Sequence, residues 1–272
     1  MKEIQVASST DLYSFTVSVD RIEPNSTAPV IVFIPGLASS KEQWNSFISL
    51  VPQQYGVITV ELRSHGKNDV SISPVTIEQM TTDLLDILEH INATSVHLVG
   101  YSLGGYIGLN LARKRPDIVK SLTMLATKFF WNESIFSTMN MLVSPELLVE
   151  KNPKAVQFML QDHGEKWQEV LKTGQNILSE VFRSGLKLED VLTVQCPVVV
   201  SVGAFDEFIP ATEALELASA LPKGTVQVIP FSKHNLKSVP PPIFVASIIA
   251  TIAYTEKMQS TTVVKRAVEA GS

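Results

Sequence analysis

The sequence predicts an α/β protein: a mainly parallel, doubly wound sheet with a helical segment inserted late in the chain. Three observations predict it. Short β-branched apolar runs alternate with longer segments of helical periodicity, the pattern of βαβ units whose parallel strands are buried on both faces. From Thr127 to about Val194 no strand-like run occurs, and the segment is rich in Met, Phe and Trp. Finally, 45% of the 272 residues are hydrophobic and only 18% are charged, below the usual quarter, so a large core is available.

In order, Pro29 to Ile34 (PVIVFI) is a buried strand closed by Pro35-Gly36. Ser39 and Ser40 stand as candidate N-caps before a helix over Lys41 to Leu50, where Trp44, Phe47, Ile48 and Val51 keep helical spacing. Val57 to Leu62 is a second strand. Thr76 to Ile91 is a helix, with Ile77, Met80, Leu84, Ile87, Leu88 and Ile91 on one face. Val96 to Tyr101 is a third strand, Leu103 to Lys114 a helix ended before Pro116, and Val119 to Ala126 a fourth strand. After the insertion come a strand at Pro197 to Val202, a helix at Ala211 to Ala220, a strand at Val226 to Ile229 and a closing helix at Phe244 to Lys257. The expected division is a discontinuous core of residues 1–126 and 195–257, an insertion of 127–194, and a mobile tail of 258–272.

Composition narrows the function. The net charge of −5 and the lack of a basic block exclude nucleic acid as the expected partner. One cysteine, Cys196, allows no intrachain disulfide. The first fifteen residues hold no apolar leader. The longest apolar stretch, Ile243 to Tyr254, is too short for the roughly 18 residues of a membrane span. A soluble, reduced, cytoplasmic protein without a membrane role is expected; oligomeric state stays open.

Gly100-Tyr101-Ser102-Leu103-Gly104 fits G-x-S-x-G where a strand ends and a helix begins. Such a turn exposes a serine on a strained backbone, and glycines two residues to either side remove collisions with strand and helix. A serine hydroxyl needs a base, and the base needs an orienting acid. Of five histidines, His234 lies just past the last strand, where open α/β sheets place functional groups. Asp206 ends the preceding strand, and the order Ser102, Asp206, His234 suits this kind of site. Glu207 and Glu133 are alternative acids. The backbone N–H groups of Leu37 and Leu103 are expected to form the oxyanion hole. No metal-ligand cluster appears, and no cofactor is expected. Tyr101, Phe129, Phe130 and Trp131 are expected in the substrate pocket. Cys196 is expected to be inert, and Arg63 and His65 to brace loops.

Together these segments resemble the α/β-hydrolase fold family, in its cap-bearing esterase and enol-lactonase-like branch. IPGLASSKEQW is similar to the family's oxyanion loop, ELRSHGKND to its turn after the next strand, and GYSLGG to its elbow; VGAFDEFIPATEALELASALP and IPFSKH are similar to its acid and base segments. The resemblance covers about 28–126 and 195–255. Pro35 stands where the family commonly has His, and Ser64 and Asn68 where Gly and Ser are commoner. The resemblance implies an eight-strand-type sheet, residues 127–194 as a cap, and cleavage of a small, mostly apolar ester or lactone through an acyl-enzyme on Ser102. Acyl transfer, C–C bond hydrolysis and ligand binding with little turnover remain open.

Overall fold

The computed structural model describes residues 1–22, 28–71 and 74–270. Its elements are β1 (Lys2–Ala7), β2 (Ser14–Asp20), β3 (Val30–Ile34), a 3-10 turn at Lys41–Trp44 leading into α1 (Asn45–Ile48), β4 (Gly56–Val60), α2 (Ile77–His90), β5 (Val96–Tyr101), α3 (Leu103–Lys114) and β6 (Val119–Leu125). Then follow α4 (Glu133–Leu142), α5 (Pro145–Lys151), α6 (Pro153–His163), α7 (Trp167–Ser184), α8 (Leu188–Val191), β7 (Val198–Gly203), α9 (Ala211–Ala220), β8 (Gly224–Ile229) and α10 (Pro241–Ala270).

The strands form one sheet in the order β1-β2-β4-β3-β5-β6-β7-β8. From β4 to β8 every pairing is parallel. β1 and β2 are antiparallel additions at one edge. The central strands are buried along their whole length because helices cover both faces: β4 and β5 expose nothing. Thr76 caps α2, its side chain accepting the N–H of Gln79.

Four expectations differ from the structure. The hairpin β1–β2 was not anticipated: β1 is half-exposed and its alternation short, so only Val6 is fully buried. Ser40 precedes the 3-10 turn but makes no side-chain cap; the N–H of Lys41 instead donates to Glu61 Oε1 (2.6 Å). The helix expected over Lys41 to Leu50 is accordingly a 3-10 turn followed by one α-turn. The last helix continues to Ala270 rather than stopping near Lys257; Gly271 and Ser272 lie outside the described residues.

Between β6 and β7 every regular element is a helix. Its helices start on side chains that accept N–H groups: Asn132 for α4, Ser144 for α5 and Asn152 for α6. Pro145 and Pro153 open α5 and α6, where no N–H is missed. Met159, Trp167, Val170 and Leu171 form a small core separate from the main one.

Candidate active site

Ser102 lies between the last residue of β5 and the first of α3, with φ 50° and ψ −114°. A non-glycine residue at positive φ is strained and survives only where its surroundings over-determine it. Here they do. Ser102 N–H donates to the Leu125 carbonyl (2.8 Å), and its carbonyl accepts from Gly105 N–H (3.1 Å) and Thr127 Oγ1 (3.1 Å). The flanking glycines permit the turn: a Cβ on Gly100 would lie 2.4 Å from the Gly104 carbonyl oxygen, and one on Gly104 2.3 Å from that of Ile34.

His234 follows β8. Its Nδ1 meets both carboxylate oxygens of Asp206, at 3.2 and 3.1 Å. The Asp206 side chain is fully buried and that of His234 nearly so. Asp206 Oδ1 also accepts the N–H groups of Phe208 and Ile209, each at 3.0 Å, which locks the carboxylate in its own loop. With Nδ1 donating to Asp206, the basic lone pair of the ring is on Nε2. Three further contacts set the ring's place. Glu207 Oε2 accepts the N–H of His234 (3.0 Å), the Tyr101 hydroxyl donates to the His234 carbonyl (3.0 Å), and Phe208 stands edge-on to the imidazole at 5.1 Å. The same backbone N–H holds the exposed Glu207 carboxyl below its ordinary pKa. Glu207 thus grips the backbone of His234, while Asp206 holds its ring. Glu133 sits exposed in the first turn of α4.

Ser102 and His234 open into one cavity of about 190 Å³, which Leu37, Leu103, Tyr101 and Trp131 also line. Leu103 is the first residue of α3, so its N–H has no intrahelical acceptor. The Leu37 side chain packs on Gly174 of α7. Phe129 and Phe130 do not line this cavity. Both their N–H groups donate to Glu213 Oε1 on α9 (3.2 and 3.3 Å). With the backbone so tied, Phe129 is buried against Tyr106 and its ring meets that of Phe130 at 5.1 Å.

Of the rest of the wall, the sequence offers only Met139, as one of the apolar residues of the insertion that could line a pocket. Met139, Leu142 and Val143 come from α4 and the residue after it, and Ile177, Leu178 and Val181 from α7. Spacings of three and four mark each set as one helix face, but not what that face covers. Lys128 also reaches the cavity; its Nζ is paired with Glu213 Oε2 and donates to the Phe208 carbonyl (3.2 Å). Tyr106, one turn along α3 from the serine, is a wall residue as well.

Cys196 is buried before β7, and burial pushes its thiol up to about 11, so the reactive thiolate is suppressed. Arg63 is enclosed by Asp83 (2.6 Å), Asp11 (2.7 Å) and the Tyr13 ring. The His65 ring bonds to the Arg63 carbonyl (2.8 Å). Among the described residues, no group of three or more His, Cys, Asp or Glu is arranged to hold a metal ion, and no helix is long and apolar enough to cross a membrane.

Comparison with known proteins bears on the family and the fold. Residues 29–162 match the family model described as the alpha/beta hydrolase fold. That segment includes Leu37 and Ser102 but neither Asp206 nor His234. An sn-1-specific diacylglycerol lipase from Mus musculus is 36% identical over 42% of this chain and 38% of its own length. A 3-oxoadipate enol-lactonase from Acinetobacter baylyi is 35% identical over 46% of each chain. These alignments thus span less than half of either relative. Among solved structures, a carboxylesterase from the thaumarchaeon Nitrososphaera gargenis superposes with a TM-score of 0.77, covering 93% of this chain and 99% of that one at 18% identity; this likeness concerns the fold.

Proposed function

Because the chain belongs to the α/β-hydrolase fold family, we propose that it is a serine hydrolase that cleaves a small, mostly apolar carboxylic ester or lactone through an acyl-enzyme on Ser102. The observation that carries this reading is the shared cavity: a strained serine and an Asp206-held histidine face the same apolar space. The relatives named as a lipase and an enol-lactonase act on esters and lactones by their names, which supports the same bond type.

Ser102 Oγ attacks the ester carbonyl while His234 Nε2 takes its proton. The N–H groups of Leu37 and Leu103 hold the oxyanion, each contributing about 3 kcal/mol to the transition state. Asp206 stabilises the imidazolium, which then hands its proton to the departing alkoxide. Water deprotonated by His234 attacks the acyl-enzyme and releases the acid. No metal or cofactor enters this scheme. Residues 127–194 serve as a cap, with α4 and α7 forming the apolar wall that receives the acyl group.

The test is a panel of p-nitrophenyl esters from acetate to octanoate. The expected result is turnover of short and medium chains, reduced at least about 10³-fold in Ser102→Ala. Undiminished turnover in that variant would remove Ser102 as the nucleophile.

A further inference from the structure

Lys128 and Glu213 form an ion pair that the reaction scheme leaves without a task. Both side chains are buried, at 6% and 11% exposure. A buried ion pair stabilises a fold little more than an apolar pair of the same shape, because desolvation of the two charges offsets their attraction. What such a pair supplies is direction: an ammonium and a carboxylate each hold several partners at fixed places.

The partners are backbone groups of two segments. Glu213 stands in the first turn of α9. Its Oε1 accepts the N–H groups of Phe129 and Phe130 (3.2 and 3.3 Å), where the chain leaves β6 for the insertion. Lys128 Nζ is paired with Glu213 Oε2 and donates to the Phe208 carbonyl (3.2 Å). That carbonyl shares a peptide with the N–H of Ile209, and a trans peptide is a rigid plane with C=O and N–H on opposite sides. The Ile209 N–H donates to Asp206 Oδ1 (3.0 Å). The Phe208–Ile209 peptide is therefore clamped at both ends, by Lys128 at its oxygen and by Asp206 at its nitrogen. Phe208 has two more holds on the site. Its own N–H donates to the same Oδ1 (3.0 Å), and its ring stands edge-on to the His234 imidazole at 5.1 Å. Turning this one peptide would displace both a donor on Asp206 and the ring beside His234.

We propose that Lys128 and Glu213 are positioning residues: the pair holds the Phe208–Ile209 peptide in the orientation that keeps Asp206 on Nδ1 of His234, and it locks this loop to the point where the insertion begins. The effect on rate rests on the ester-hydrolase reading given above.

The experiment measures p-nitrophenyl butyrate kinetics and amide hydrogen exchange of residues 204–209 in wild type, Lys128→Met and the double variant Lys128→Met/Glu213→Gln. Met keeps the length of the side chain and has no donor; Gln keeps an oxygen for the N–H groups of Phe129 and Phe130. The double variant leaves no unpaired buried charge, so it carries the test should Glu213 alone prevent folding. In both variants kcat is expected to fall at least about tenfold, within the hundredfold that an ångström of misplacement costs, with KM inside about twofold. Exchange of the loop is expected to quicken at least about tenfold. Unchanged kcat in both variants overturns the proposal while the hydrolase reading stands. A raised KM with kcat kept overturns it too, since Lys128 would then be a substrate contact. Recovery of kcat in the double variant would trace the loss to the unpaired Glu213 charge and likewise overturn it. If wild type turns over no p-nitrophenyl ester, the hydrolase reading itself fails, and the exchange rates alone decide whether the pair holds the loop.

Discussion

The two sides of the candidate active-site cavity are built differently. On the sheet side, Ser102, Asp206 and His234 stand on loops fixed by hydrogen bonds that each involve a backbone group: the Leu125 carbonyl and the Thr127 hydroxyl hold the serine turn, the N–H groups of Phe208 and Ile209 hold the Asp206 carboxylate, and the Glu207 carboxylate holds the His234 N–H. On the insertion side, the wall is made of side chains on helices. α4 buries none of its residues, and Met141, Leu142, Val149 and Phe158 are exposed. The difference teaches which substitutions each side tolerates. Where backbone meets backbone nothing yields, whereas a helix-borne side chain can be exchanged for another of similar size.

The largest expected effect tests the sheet side. Asp206→Asn keeps an oxygen for the N–H groups of Phe208 and Ile209 but no longer enforces the working tautomer of His234. Steady-state assays should show kcat lower by about 10⁴-fold. Glu207→Gln, which touches only the His234 backbone, should cost less than about tenfold. A reversal of that order would assign the acid to Glu207.

Glycine substitutions probe the contrast directly. In Gly104→Ala the new methyl meets the Ile34 carbonyl at 2.3 Å, and denaturant unfolding should register a loss of about 3 kcal/mol. In Gly174→Ala on α7 it meets only the end of Leu37, at 3.1 Å or more. A shift of that side chain, offset by better helix propensity, should keep the change within about 1 kcal/mol. Equal losses at the two positions would break the contrast between the sides.

A buried acid adds a pH signature on the sheet side. Desolvation pushes Glu61, at the end of β4, up to about 7. Its folded pKa lies above the unfolded one, so its contribution is fully present below the unfolded value of about 4.5 and is lost as pH rises through 7. The loss is at most about 3 kcal/mol. Melting temperatures from pH 4.5 to 7.5 should therefore fall more steeply with pH in wild type than in Glu61→Gln. His97 has the opposite sign: burial pushes it down to about 4, so the stability it contributes above pH 6.5 is lost on acidification through 4. A Glu61→Gln profile parallel to wild type would mean that Glu61 is ionised in the fold at neutral pH. The smallest expected effect lies on the insertion: Leu178→Ala should shift the preferred acyl chain length, changing KM for octanoate several-fold with kcat nearly kept.

The same asymmetry explains what the sequence disclosed. Parallel strands buried on both faces are continuous apolar runs, and the G-x-S-x-G turn is written in the residues that avoid its collisions; both were readable locally. The β1–β2 hairpin was missed because an edge pair with one wet face needs little apolar sequence. Phe129 and Phe130 were misplaced because their direction is decided by Glu213, a residue far along the chain, and no local pattern reports that. The cavity lined by Ser39, Gln43, Asp162, Asn235 and Lys237 has no motif at all. Its polar groups come from three distant segments that only the fold brings together.

Reaction with a fluorophosphonate probe, followed by peptide mapping, tests the central claim most directly. The account predicts one covalent adduct on Ser102, absent in Ser102→Ala and formed much more slowly in His234→Ala. An unlabelled wild-type protein, or an adduct that persists in Ser102→Ala, would contradict it.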